Sequence, residues 1–231
     1  DKMLERSKSW TKLFNPEQKD ENAEFRGFIV PRKEDGRFID IPVRKSYASW
    51  VEYFYEGNSW TYSLFIPHDF ERLISLCGGR EEMIRRLEYG FNHELIALWN
   101  EPGFLSPFIF HHCGRPELSA KYVSMLRQKN YSLENGFCDN EDSGAMGSWY
   151  VFTGLGLFPN AGQDYYYVLP PAYAEATLQL ANGRQLHITR DITCYPFTKV
   201  KAVYLNGRLQ KGFTLRHADI MKGGELKFVL E

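Results

Sequence analysis

The sequence predicts a mainly α fold with a C-terminal antiparallel β region. Three observations carry this. The first two-thirds shows apolar residues at helical spacing, bounded by capping and breaking residues. The last sixty or so residues hold alternating runs broken at Asn182-Gly183, Asn206-Gly207 and Gly223-Gly224, the pattern of tight hairpins. Hydrophobic residues fill 43% of the 231 positions, enough for a packed core.

Taken in order, residues 1–14 read as an amphipathic helix with Leu4, Trp10, Leu13 and Phe14 near one face. The opening DKMLERSKSW lacks a cap and an apolar signal core, so the chain reads as a trimmed domain or as the C-terminal part of a longer protein. FRGFIVPRKEDGRFIDIP, residues 25–42, reads as an irregular hairpin-like loop. YASWVEYFYEGNSWTYSLF, residues 47–65, is aromatic-rich and fits helix or strand. HDFERLISLCGG gives a short helix with Asp69 near its start and Gly78 as its stop. Residues 80–99 offer one or two more. RPELSAKYVSMLRQKN places Pro116 in a first turn and Leu118, Tyr122 and Leu126 on one face. SGAMGSWYVFTGLGLFP reads as a buried helix, because small residues let neighbours approach closely. Three hairpins then complete a small antiparallel sheet. The expected division is helices in residues 1–165 and hairpins in 166–231, with a joint near Pro170-Pro171.

Composition narrows the function. Net charge is −1 and no basic stripe is present, which argues against a nucleic-acid partner. No apolar run is long enough to span a membrane. Cys77, Cys113, Cys138 and Cys194 are widely spaced with no CxxC, so zinc is not expected and disulfides stay open. Aromatics reach 16%, and exposed flat rings are what sugar sites use. There is no G-x-S-x-G for an acyl-transfer nucleophile, and Cys113 reads as packing. His68, His111 and His112 read as structural histidines or ligand contacts.

Three polar islands sit in aromatic surroundings: YEGNSW at 55–60, WNEPGF at 99–104 and DNEDSG at 139–144. Each offers a carboxylate and an Asn near a predicted helix end, where loops carry function. Glu56 has Phe54 and Trp60 nearby. An apolar surround disfavours the ionised carboxyl and suits a general acid. The other reading is a helix-end Glu bonding backbone N–H groups. Pro102 restricts Glu101 to extended geometry, which fits a fixed ligand or a plain helix stop. Asp139, Glu141 and Asp142 crowd within four residues, as for a hard cation or a solvated acidic turn. The spacing is not that of an EF-hand.

In combination, EGNSWTYSLFIPHD, NEPGFLSPFIFHHCGRP, NEDSGAMGSWYVFTGLGLFP and AGQDYYYVLPP resemble glycoside hydrolase family 92, in the family's order and over nearly the whole chain. The family consists of calcium-dependent exo-acting α-mannosidases. The resemblance implies the last helices of an (α/α)6 barrel (a toroid) plus the C-terminal strands. The N-terminal β-sandwich and the earlier barrel helices would lie outside this chain. It implies Glu56 as general acid and Asp142 as general base, with Asn140 where a second acidic group often stands. Asn100, Glu101 and Asp139 would help hold Ca2+. Trp60, Trp99, Phe104 and His112 would contact the sugar. The implied activity is release of mannose, with inversion, from N-glycan or mannan-type substrates in the periplasm or outside the cell. An isolated chain would be a weak catalyst. Two departures bear on the substrate. Thr61 follows Trp60 where many members carry Gln, and Gly103, Phe104 and Leu105 stand where many carry Ser and two His. The alternatives are a mannosyl-phosphate-cleaving member of the family and a non-catalytic sugar-binding or structural fragment.

Overall fold

The computed structural model describes residues 2–46, 52–96, 98–191 and 199–231. They divide into two compact units, 1–106 and 107–231. Trp50 and Cys194 lie outside the described residues. The boundary expected at 165/166 falls inside the second unit, within the strand Tyr165–Val168, which pairs antiparallel with Leu157–Pro159.

In the first unit the N-terminal helix is short. Lys2–Ser7 is α-helical and Lys8–Lys12 is a 3-10 turn. The expected apolar face is corrected: Leu4 and Leu13 are exposed, and only Phe14 of that set is buried. Phe14 instead opens the strand Phe14–Lys19, which pairs antiparallel with Arg26–Ile29. The ladder is irregular between Asn15 and Lys19, where Pro16 has no N–H to donate. The loop beyond closes with a bridge between Arg32 and Phe38, so the hairpin-like reading of 25–42 holds there.

Three helices follow. Ser59–Leu64 lies in the ambiguous aromatic stretch. Its Ser63 Oγ accepts from the Ile29 amide at 2.8 Å, and its Ser59 Oγ donates to the Ile29 carbonyl at 2.6 Å. The helix thus satisfies the backbone groups of the strand's last residue. Phe70–Leu76 stops at Gly78, whose φ of +98° glycine adopts without a Cβ clash. Asp69 makes no cap bond of its own and instead accepts from Trp10 Nε1 at 3.1 Å. Among the described residues of 80–99 there is one α-helix, Arg80–Asn92. The core of this unit gathers round Trp60, with Phe25, Phe28 and Tyr89 within 6.0 Å of its ring.

In the second unit Pro116–Asn130 and Ala145–Gly154 are helical, as their sequences predict. Tyr122, Val123 and Leu126 are buried. The helix Ala145–Gly154 buries Met146 and Trp149 but leaves Val151 exposed, so it is covered on one face only. Tyr165–Val168 sits between Leu157–Pro159 and Thr214–Arg216 in a three-stranded sheet. A five-stranded sheet runs Arg208–Leu209, Val200–Leu205, Gly224–Leu230, Gln185–Arg190, Glu175–Gln179. Leu186, Ile188, Leu226 and Phe228 form its dry side.

Two of the expected hairpins are present, at 175–190 and 200–209. Asn206 and Gly207 both take positive φ, as a tight primed turn requires. The third is corrected. His217–Ile220 is a helical turn, and Gly224–Leu230 pairs parallel with Gln185–Arg190 and antiparallel with Val200–Leu205. The sheet is therefore mixed. Gly223-Gly224 does not turn a hairpin. It admits the Asn206 side chain, whose Nδ2 donates to the Gly223 carbonyl at 3.0 Å and whose Oδ1 accepts from the Glu225 amide at 2.8 Å. A Cβ on Gly224 would lie 1.9 Å from that Oδ1.

Candidate active site

In the first unit two islands converge. Asn58 caps Ser59–Leu64: its Oδ1 accepts from the Thr61 amide at 2.8 Å, and its Nδ2 donates to the Leu95 carbonyl at 3.1 Å. Two residues earlier, Glu56 is half-buried with φ at +46°. A left-handed non-glycine residue costs on the order of 1–3 kcal/mol and persists only where its surroundings hold it. Gly57 has no Cβ because Tyr62 is there; one would sit 2.7 Å from the ring. Asn100 caps the turn Glu101–Gly103 through Oδ1, which accepts from the Glu101 amide at 2.9 Å. Its Nδ2 donates to the Glu56 carbonyl at 3.0 Å and to the Tyr55 carbonyl at 3.3 Å. Burial, then the negative charges of Glu56 and Glu101, push the Tyr62 hydroxyl's pKa up. Both carboxylates therefore gather near one phenol.

The aromatic expectations divide. Trp60 is fully buried and its Nε1 donates to Asp20 at 2.8 Å, so as placed it shows a ligand no face. Phe104 is 7% exposed and packs inward. Trp99 is half-buried. The open rings beside Glu56 are Tyr53 and Tyr55, about half exposed, which the sequence reading did not single out. Only exposure separates a stacking ring from a core ring, and composition does not report it.

In the second unit the acidic island is a surface turn. Asp139, Asn140, Glu141 and Asp142 are all exposed. Their roles differ. Both oxygens of Glu141 accept from the Gly147 amide at 2.9 Å, so this carboxylate caps the start of Ala145–Gly154, where the helix dipole favours negative charge. Asp139 Oδ1 accepts from the Asn140 amide at 2.8 Å. Asp142 begins a 3-10 turn in which Ser143 and Gly144 are both left-handed, at φ +54° and +76°. Part of the crowding thus has a structural cause. Phe137, 42% exposed and edge-on to Tyr131, is the open ring nearest in sequence.

His112 is half-buried, and its Nε2 lies 2.8 Å from the hydroxyl of Tyr167, which is 1% exposed. His111 is locked on both sides. Its Nε2 faces the Val168 carbonyl at 3.0 Å, an acceptor only, so Nε2 carries the proton. Its Nδ1 then accepts from the buried Ser119 hydroxyl at 2.7 Å. Burial, with the neighbouring His112, holds its pKa down at about 4. A base whose folded pKa lies below its unfolded value binds fewer protons when folded. This contribution is complete above about pH 6.5 and is lost as pH falls towards 4, on the order of 3 kcal/mol. The His111 ring resonances are expected not to titrate above pH 5 in an NMR pH series. A midpoint near 6.5 would refute the neutral assignment.

A cavity of about 520 Å³ in the first unit lies over Asn15, Gln18, Asp20, Phe38 and Asp40, away from Glu56. Its acids already have partners: Arg44 holds Asp20, and Gln18 donates to Asp40 at 3.1 Å. It reads as a structural groove. For calcium, the donor chemistry of the two islands fits, being all oxygen. Among the described residues no three His, Cys, Asp or Glu side chains converge on one point. Asn100 Oδ1 already accepts one hydrogen bond. Among the described residues no disulfide joins Cys77, Cys113 and Cys138.

A secreted glycosidase of Arthroderma benhamiae, described as uncharacterized, is 31% identical over 246 residues, covering 100% of this chain and 32% of that protein. A family GH92 α-mannosidase of Bacteroides thetaiotaomicron, solved with mannoimidazole, superposes at a TM-score of 0.86 and 24% identity, over 99% of this chain and 32% of that one. A family GH92 inverting mannosidase from strain VPI-5482 of the same species gives 0.84 and 24%, over 100% and 33%. At such identities the structural likeness shows the fold. The chain spans about a third of each relative's length. The sequence profile of the glycosyl hydrolase family 92 catalytic domain matches residues 1–231 throughout, and the chain belongs to that family.

Proposed function

We propose that this chain carries the acid and the base of an exo-acting, inverting, calcium-dependent α-mannosidase. The observation that carries the reading is the half-buried Glu56 on its left-handed turn, grouped with Glu101 at Tyr62, in a family 92 chain. In this reading the Glu56 carboxyl protonates the glycosidic oxygen as the bond to C1 breaks. Asp142 takes a proton from water as the oxygen of that water bonds to C1 from the opposite face. Inversion needs the two carboxyls about 6.5–9.5 Å apart, leaving room for the water. Asn140 orders the turn that carries Asp142, its carbonyl accepting from the Asp142 amide at 2.9 Å. Calcium, when bound, would hold the sugar hydroxyls. Glu101 and Asp139 are the oxygens this chain would offer it, and Asn100 Oδ1 seats Glu101 by accepting from its amide.

The helices described here would be the last of an (α/α)6 barrel, and a β-sandwich and earlier helices would complete the site. Mannose-bearing N-glycans or mannans are the substrate class, met outside the cell or in the periplasm, in keeping with the secreted description of the fungal relative. Among the described residues no helix is long and apolar enough to cross a membrane. A mannosyl phosphate is the second reading. Gly103, Phe104 and Leu105 are buried and offer no imidazole to a sugar leaving group.

The full-length protein given an α-linked mannobiose is expected to release β-mannose first by proton NMR, to stop on exhaustive chelation and to recover with calcium. An α-anomer as first product would refute inversion. Unchanged activity after chelation would refute the calcium.

A further inference from the structure

We propose that Asn100 is a positioning residue: its one amide locks the turn that presents Glu56 to the turn that presents Glu101. The inference rests on the reading of Glu56 as the general acid. Asn100 is 8% exposed, and its side chain makes three hydrogen bonds to three different backbone groups. Two go from Nδ2 to the successive carbonyls of Tyr55 and Glu56. The two carbonyls converge on one donor with the chain bent at Glu56, where φ is +46°. The third, to Oδ1, fixes Glu101 at the head of its turn. A second support reaches the same spot: Tyr62 OH donates to the Tyr55 carbonyl at 2.5 Å. Tyr62 lies in Ser59–Leu64, the helix that Asn58 caps. The Glu56 backbone is therefore held from the helix on one side and from the Asn100 amide on the other.

The arrangement has a chemical consequence. A general acid works only when its proton lies in line with the leaving oxygen, and a misplacement of about 1 Å costs on the order of 100-fold. The cost appears only where the leaving group needs the proton. Losing Asn100 should therefore slow substrates with poor leaving groups and spare those with good ones. A defect of stability alone lowers the amount of folded enzyme and touches both equally.

Asn100→Asp tests this. It keeps the size and the acceptor for the Glu101 amide and removes both donors. In the full-length protein, kcat for α-linked mannobiose is expected to fall about 100-fold. For 2,4-dinitrophenyl α-mannoside it is expected to fall less than about 5-fold, since that alcohol leaves without protonation. KM should stay within about 3-fold for both. Tyr62→Phe, which removes one hydroxyl, should give the same selective pattern more weakly. Equal losses on both substrates, in both variants, would overturn the assignment. Glu56→Gln separates this failure from failure of the acid reading: if that variant also lacks leaving-group dependence, Glu56 is not the acid. The clamp is then judged by a crystal structure of Asn100→Asp, where Glu56 should leave the left-handed region. A Glu56 that keeps its positive φ overturns the proposal.

Discussion

Glu56→Gln and Asp142→Asn are each expected to lower kcat of the full-length protein on α-linked mannobiose by about 10²–10⁴-fold, with different signatures. The amide at 56 keeps the shape of the carboxyl but has no proton of the right acidity to give. Its effect should shrink towards nothing for a dinitrophenyl mannoside. The amide at 142 cannot take a proton from water, so the attack slows whatever the leaving group. Both substrates should then fall alike. The pH profiles separate the roles again. An acid must be protonated, so activity falls as pH rises through its pKa, and Glu56→Gln should flatten that alkaline limb. A base must be ionised, so Asp142→Asn should flatten the acid limb. If the two variants exchange these signatures, the roles are reversed. If Glu56→Gln is silent on a mannosyl phosphate yet severe on mannobiose, the leaving group alone decides the need for the acid.

How far the fold could be read depended on how far apart the interacting residues are. Gly78, Pro116 and Asn206-Gly207 act within one turn of the chain, and each ends, starts or reverses an element as its chemistry dictates. Gly223-Gly224 carries the same local signature, yet its glycines admit a side chain from residue 206. Phe14 reads as the tail of a helix, but pairing with Arg26–Ile29 draws it into a strand. Tertiary pairing overrides local preference there. The site divided in the same way. Glu56 and Glu101 stand out as carboxylates beside glycine or proline, and Asp142 as one of a crowded acidic run. The left-handed turn at Glu56 and its tie to Asn100, 44 residues away, leave no local mark. Trp60 was legible as an aromatic near a carboxylate. Its burial against an acid 40 residues earlier was not.

That acid, Asp20, should be among the most costly single positions in the first unit: Asp20→Ala is expected to remove about 3–5 kcal/mol of stability. Its side chain is fully buried and binds from three directions. Arg44 meets it with Nε at 2.8 Å and Nη2 at 2.5 Å, the Asn22 amide donates at 2.8 Å, and Trp60 Nε1 donates at 2.8 Å. Arg44 continues to the Tyr89 hydroxyl at 2.8 Å, and Tyr89 stacks on Trp60 at 6.0 Å. One carboxylate thus ties the first hairpin to helices Ser59–Leu64 and Arg80–Asn92. Removing it strands a mostly buried guanidinium and a buried indole N–H, and the cost comes from both unpaired donors. With total stabilities of about 5–15 kcal/mol, such a loss takes a large share. Burial alone would raise the Asp20 pKa, but the bonds from Arg44, Asn22 and Trp60 outweigh it and the pKa is lowered. A carboxyl depressed by folding contributes above its unfolded pKa and fades as pH falls through the folded one, so Asp20→Ala should also flatten the acid limb of stability. Asp20→Asn keeps an acceptor for Trp60 and should lose less. Urea unfolding followed by Trp fluorescence, at pH 7 and pH 3, gives both readings. A loss below about 1 kcal/mol at pH 7, the range of an exposed ion pair, would mean the cluster is a surface bridge and not the joint of the unit. The same joint bears on chemistry, because Trp60 lies in the first turn of the helix that Asn58 caps, and Asn58 is two residues after Glu56. A slackened Trp60 should loosen the Glu56 turn, and Asp20→Asn is expected to lower kcat on mannobiose more than on the dinitrophenyl substrate.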